Sequence, residues 1–139
     1  MAVPQKVPQF VHRPPRRLEK ALAAGTAFTN AQILYEIIPV FGSFRTRIRA
    51  KTATAGATLN VYFVDPNFDV TQADGASPVA YGSLVGTIYT TGGGTATLTA
   101  GTESKIDIDL YGEGFMLIEL VGSGSGTITF IDVSQLPTA

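Results

Sequence analysis

Phe44-Arg45-Thr46-Arg47-Ile48-Arg49-Ala50-Lys51 alternates without a break, Phe44, Thr46, Ile48 and Ala50 on one side and Arg45, Arg47, Arg49 and Lys51 on the other. A period of two marks a β-strand with one face buried and one face in water. A helix, with its period near 3.6, would scatter the four cations around its circumference. This stretch is a strand with a cationic face.

Working outward, the same alternation recurs. Leu59, Val61 and Phe63 alternate with Asn60, Tyr62 and Val64; Ile106, Ile108 and Leu110 alternate with Lys105, Asp107, Asp109 and Tyr111. Near the end, Thr127, Thr129 and Ile131 alternate with Ile128, Phe130 and Asp132. Phe115–Val121 is apolar on both sides apart from Glu119, the pattern of a central or covered strand. Strands are expected at 32–41, 44–51, 57–64, 82–90, 95–100, 103–111, 115–121 and 127–133. Turn residues separate them: Gly56, Gly92-Gly93-Gly94, Gly112-Glu113-Gly114 and Ser123-Gly124-Ser125-Gly126. The stretch from Asp65 to Ala80, with Asp65-Pro66-Asn67 and Asp74-Gly75, reads as the longest loop. About eight short strands at this spacing predict an all-β, antiparallel β-sandwich of jelly-roll type over residues 32–139.

Residues 1–31 read differently. Four prolines in the first fifteen residues exclude a helix or a central strand and favour extended, polyproline-like backbone. Val3, Val7, Phe10 and Val11 are too sparse to form a core alone, so this is an N-terminal arm, basic and proline-rich. The following run, Arg16 to Ala24, consists mostly of good helix formers between Pro15 and Gly25, which predicts one or two turns of helix near residues 16–24.

The formal net charge of −1 hides an asymmetry. Nine of the ten cations lie in residues 1–51 against two acids, a local balance of +7; residues 52–139 carry one cation and nine acids, −8. Such a chain meets copies of itself, or a polyanion, by complementary charge.

Several chemistries find no support. No cysteine is present, which removes disulfides, thiolate zinc sites and thiol nucleophiles, and the one histidine, His12, leaves little for a triad or an imidazole metal site. Neither glycine-rich turn is followed by Lys-Ser/Thr or opens a helix in a βαβ unit, so phosphate cradling is not indicated. Asp107-Ile-Asp109-Leu-Tyr-Gly112 starts like a calcium loop, but Ile118 stands where the closing acid belongs. Asp65, Asp69 and Asp74 share a loop and read as turn formers. Glu119 is the one acid set in an otherwise apolar strand, and glycoside hydrolysis needs two carboxylates. Apolar runs are too short to span a membrane as a helix. The expectation is a non-enzyme without cofactor or metal.

The arginine row is the sharpest feature. Its side chains project about 7 Å apart along one face. Two readings stay open: a ribbon for acidic protein or nucleic acid, or an outer face paired across the sheet with acids such as Glu103, Asp107 and Asp109. Nucleic-acid binding usually adds exposed aromatics or a groove-sized helix, and neither is evident.

The stretch Phe115-Met-Leu-Ile-Glu-Leu-Val-Gly-Ser-Gly-Ser-Gly-Thr-Ile-Thr-Phe-Ile-Asp-Val-Ser134 resembles the closing hairpin of small β-sandwich virion proteins of tailed bacteriophages, above all the capsid decoration, or cement, proteins. Phe44–Val64 fits the same pattern. The resemblance implies a homo-oligomer, often a trimer, on the virion's capsid surface, bound to the major capsid protein and reinforcing the lattice. It carries over no catalytic residue, and an arm this basic departs from many such proteins. The residues expected to touch partners are Val3, Val7, Phe10 and Val11 by apolar docking, and Arg13, Arg16, Arg17, Arg45, Arg47, Arg49 and Lys51 by charge. Alternatives are a small jelly-roll capsid protein whose arm faces nucleic acid, and a carbohydrate- or receptor-binding module of a tail or fibre.

Overall fold

A computed structural model of the chain describes residues 13–41, 44–64, 85–88, 94–110 and 113–137. In chain order the strands are β1 (Arg13–Arg17), β2 (Ala27–Phe28), β3 (Ile33–Phe41), β4 (Phe44–Ala53) and β5 (Ala57–Val64), then β6 (Val85–Ile88), β7 (Thr95–Leu98), β8 (Ser104–Leu110), β9 (Glu113–Gly122) and β10 (Gly126–Pro137). They form two antiparallel sheets. Sheet A has the order β1-β10-β4-β8, with the short β2 also on β10; sheet B has the order β3-β9-β5-β6, with β7 also on β5. Thus β1 pairs with β10, β3 with β9, β4 with β8 and β5 with β6, a long hairpin rolled into two facing sheets. That is the jelly-roll arrangement.

The alternation explains the packing. Ile48 and Ala50 of β4, Leu59 and Val61 of β5, Ile106 and Ile108 of β8, and Met116, Ile118 and Leu120 of β9 all turn into one core between the sheets. β9 lies centrally in sheet B, between β3 and β5, and its other face carries a second cluster of Leu117 with Tyr35, Ile33, Ile37, Tyr62 and Phe115. An apolar run on both faces is what such a position requires.

Strand β10 departs from strict alternation. Its register on β4 shifts between Ile128 and Phe130, so Thr129 is an extra residue. Ile128 and Ile131 therefore both point inward, and Phe130, Asp132, Ser134 and Leu136 line the outside. Without this bulge Ile128 would share a face with Asp132; the bulge restores the buried set.

The expected helix over 16–24 does not form, and the sandwich begins at Arg13 rather than at residue 32. Residues 13–17 add to the edge of sheet A as β1, with Pro14 and Pro15 at a register shift between Arg13 and Arg16, where a strand tolerates proline. The chain then crosses the side of the sandwich through two successive turns, Ala23 N–H to Lys20 C=O and Thr26 N–H to Ala23 C=O. Three stronger claims displace the helix. Leu18 and Leu22 are buried in the core. The Leu18 N–H donates to Ile131 C=O and the Gly25 N–H to Ile128 C=O. Finally, the buried Glu36 carboxylate accepts from the backbone N–H groups of Lys20 at 3.0 Å and Leu22 at 3.1 Å. A charged acceptor for two amides outweighs the weak helix propensity of a nine-residue run headed by two arginines. Gly25 serves a turn at φ +89° instead of capping a helix.

At the far end of the hairpins, a Cβ on Gly126 would lie 2.7 Å from Ala53 C=O and 2.9 Å from Ala55 N, so this glycine admits the close approach of β10 to the β4–β5 turn. The opposite end gathers Arg13, Phe41, Phe44, Val64, Leu110, Glu113 and Pro137, as their registers show. Residues 1–12 therefore attach at that end. The expected loop from Asp65 to Ala80 and the Gly92-Gly93 turn lie outside the described residues.

Candidate partner-binding surface

The outer face of sheet A is a mosaic of charges built by register. On β4, Arg45 and Arg47 stand directly opposite Asp109 and Asp107 of β8. Arg47 Nε donates to Asp107 Oδ1 at 2.7 Å and its Nη2 to Oδ2 at 3.1 Å, a two-pronged pair. Arg45 Nε reaches Asp109 Oδ1 at 3.2 Å. Arg49 faces Lys105 across the ladder, a repulsive neighbour, and turns to Glu103 instead, Nε to Oε1 at 2.6 Å. On the other side Arg17 of β1 grips Asp132 of β10 at 2.9 and 3.4 Å. The Phe130 ring lies under both guanidinium groups, 5.2 Å from Arg17 Cζ and 5.7 Å from Arg49 Cζ.

These pairs leave their mark on titration. The hydrogen bonds from Arg47 hold the Asp107 carboxyl below its usual range against slight desolvation, with help from the charges of Arg47, Lys105 and Arg45. Asp107 and Asp132 in turn raise the guanidinium groups of Arg47 and Arg17, first by hydrogen bonding and then by charge. All four pairs are solvent-exposed, so they fix strand register and surface pattern more than they stabilise the fold.

Of the two readings of the arginine row, the structure supplies the paired one: Arg45, Arg47 and Arg49 each meet an acid of their own chain. Asp107 and Asp109, the start of the calcium-like motif, are those partners. Lys51 is half-buried beside Phe130 in the register. Arg16 is exposed and lines an open cleft of about 650 Å³ between residues 16–20 and Glu36, Ile37 and Pro39. Arg13 opens β1 opposite Gln135. Val3, Val7, Phe10 and Val11 lie outside the described residues. Leu136, 47% exposed, sits next to Arg45 in the register at the end where residues 1–12 attach.

No family model, curated protein or solved structure matches the chain.

Sequence reasoning missed a polar cluster on the outer face of sheet B. Tyr35, Glu119, Asn60 and Thr95 stand in one row across β3, β9, β5 and β7. Asn60 Nδ2 donates to Glu119 Oε1 at 2.8 Å and Thr95 Oγ1 donates to Asn60 Oδ1 at 3.1 Å. Burial, then the charge of Glu119 and a hydrogen bond to it, raise the Tyr62 hydroxyl. Glu119 and Tyr35 are buried, so this is a closed network and not an exposed aromatic platform for sugar. The parity of Asn60 and Tyr62 on β5 was a usable signal for it; the pairing across three strands was not. Among the described residues no group of three His, Cys, Asp or Glu side chains is placed to hold a metal, and no helix is long and apolar enough to cross a membrane.

Proposed function

We propose that the chain is a non-enzymatic virion structural protein, a jelly-roll subunit that binds the major capsid protein at the capsid surface and reinforces the lattice as a decoration protein. It acts as a homo-oligomer, with a trimer favoured. One observation carries this reading: the proline-rich arm runs straight into edge strand β1, which is clasped by the Arg17–Asp132 pair and followed by the buried anchors Leu18 and Leu22. Whatever residues 1–12 grip is coupled through a short, well-anchored strand to the whole of sheet A. Val3, Val7, Phe10 and Val11 supply apolar contacts there; Arg13 and Arg16 supply charge. The arginine row, already neutralised by its own acids, shapes that surface and is a poor match for phosphate, which favours protein over nucleic acid as partner.

Removal of residues 1–12, which leaves β1 intact, should abolish cosedimentation with phage heads while leaving the melting temperature unchanged. Undiminished binding would reject the clamp. A steep fall of affinity with salt would redirect the arm toward packaged nucleic acid.

A further inference from the structure

We infer that the open cleft between the edge strands β1 and β3 is a docking site for an acidic, extended segment of a partner protein, with Arg16 as the residue that takes its carboxylate. This rests on the partner-binding reading above and adds to the arm a second contact, built from β1, β3 and the crossover between them.

A bulge in β1 aims Arg16 at this cleft. Arg13 stands opposite Gln135, and an unbroken antiparallel register from there would set Arg16 opposite Asp132, on the outer face of sheet A. The extra residue at Pro14-Pro15 moves the register by one, so Arg16 stands opposite Val133 and Arg17 takes the place opposite Asp132. Val133 is buried in the core, and directly opposite residues share a face. Arg16 is therefore turned to the core-facing side, like the buried Leu18 two residues on. A guanidinium cannot be buried there without a partner, and on an edge strand it escapes into the seam where the two sheets part. Bulges re-aim single side chains in this way.

The cleft measures about 650 Å³ and its far wall is β3, with Glu36, Ile37 and Pro39. That volume lies within the roughly 300–1,000 Å³ of ligand sites. Ile37 also belongs to the apolar cluster of Leu117 and Phe115 on the outer face of sheet B, and Pro39 is exposed opposite Phe115 in the register. The cleft thus joins a cationic wall to an apolar rim that rounds the edge of β3. An open trough of this kind would leave a small molecule largely in water and suits a chain that runs on past it.

Charge selects the occupant. Arg17 is met by Asp132, and Glu36 by the Lys20 and Leu22 amides, whereas Arg16 is exposed and meets no acid among the described residues. One open cation in a cleft that also carries Glu19 and Glu36 answers a single carboxylate, by the two-pronged geometry already seen in Arg47 on Asp107. A phosphate chain needs several such cations. A second copy would have to break a pair of its own to fill the place. Of the acids described outside the cleft, Asp132, Asp109, Asp107 and Glu103 each hold an arginine, and Glu119 holds Asn60. The occupant is therefore a different chain, with apolar residues beside its acid. The Arg17–Asp132 pair and buried Leu18 fix the backbone on the C-terminal side of Arg16, which lowers the ordering cost of binding.

The test titrates the full-length protein with an acetylated pentapeptide of alternating Asp and Leu, its Asn–Leu counterpart and a short oligothymidylate, followed by backbone amide shifts in NMR. The expected result is that only the Asp–Leu peptide shifts the amides of residues 16–20 and Ile37. Arg16→Ala weakens it about tenfold, Arg16→Lys less, and Arg45→Ala, on the paired row, not at all. Because Arg16 is exposed and meets no acid, unchanged melting temperatures certify the fold. No shift in the cleft, equal binding of the Asn–Leu peptide, tighter binding of the oligothymidylate, or unchanged affinity in Arg16→Ala would overturn the inference. An Arg16→Ala protein that keeps the peptide but self-associates would do so too, and mark Arg16 as a guard of the sheet edge. Cosedimentation with phage heads separates this from the decoration reading. Heads still loaded by Arg16→Glu would reject the cleft as the capsid contact and keep the arm; a wild type that binds the peptide but leaves heads unloaded would keep the cleft and reject decoration.

Discussion

Glu36→Ala is the perturbation whose size follows most directly from the geometry. Glu36 points inward from edge strand β3, is 5% exposed, and holds the Lys20 and Leu22 amides on one carboxylate oxygen. Truncation leaves the buried Leu22 N–H without its acceptor, at about 2 kcal/mol, and the part-buried Lys20 N–H, at about 1 kcal/mol. The sum of about 3 kcal/mol lowers the melting temperature by roughly 10 °C in a chain of this length. Glu36→Gln keeps an oxygen in place and loses only the charge-assisted part, so it should cost about 1 kcal/mol. Urea denaturation of the three proteins measures both. Hydrogen exchange adds the location, since amides of residues 18–25 should lose protection before those of β9. If Glu36→Ala stays within about 0.5 kcal/mol of wild type, or Gln and Ala behave alike, the crossover is held by Leu18 and Leu22 alone and the argument for the missing helix fails.

Three further outcomes are expected. Thr54, β-branched and at φ +73° in the β4–β5 turn, stores strain, so Thr54→Gly should stabilise by about 1 kcal/mol, read as a rise of a few degrees in melting temperature. The Thr52 hydroxyl is buried without a hydrogen-bond partner, so Thr52→Val should also stabilise, by about 1 kcal/mol in urea. The Asp107 carboxyl is held below its unfolded range, so its contribution is present above the usual carboxylate range and lost as pH falls through the folded-state pKa; carbon NMR should show that midpoint moving up toward the ordinary carboxylate range in Arg47→Met.

Much of the sandwich is legible in the chain because burial imposes a period of two. Phe44–Lys51 reads as β4, and the apolar run Phe115–Val121 reads as a strand covered on both faces, as β9 is. All eight expected strands appear in order among the described residues, and Glu103, Asp107 and Asp109 do partner the arginine row. What escaped reading is non-local. The Thr129 bulge reverses the inward set of β10, and only its pairing with β4 shows where the extra residue falls. Leu18 and Leu22, four apart, suit a helix face as well as two anchors of a crossover; the deciding acceptor, Glu36, lies outside that segment. Prolines 14 and 15 argue against a central strand and are silent on an edge strand such as β1. The row Tyr35–Glu119–Asn60–Thr95 draws one residue from each of four strands, and no spacing along the chain announces it.

The most direct measurement is the mass of the purified full-length protein at native ionic strength, alone and after mixing with undecorated phage heads. The expected result is an oligomer in solution and saturable, stoichiometric binding to the heads, lost when residues 1–12 are removed. A monomer that leaves the heads unloaded would contradict it.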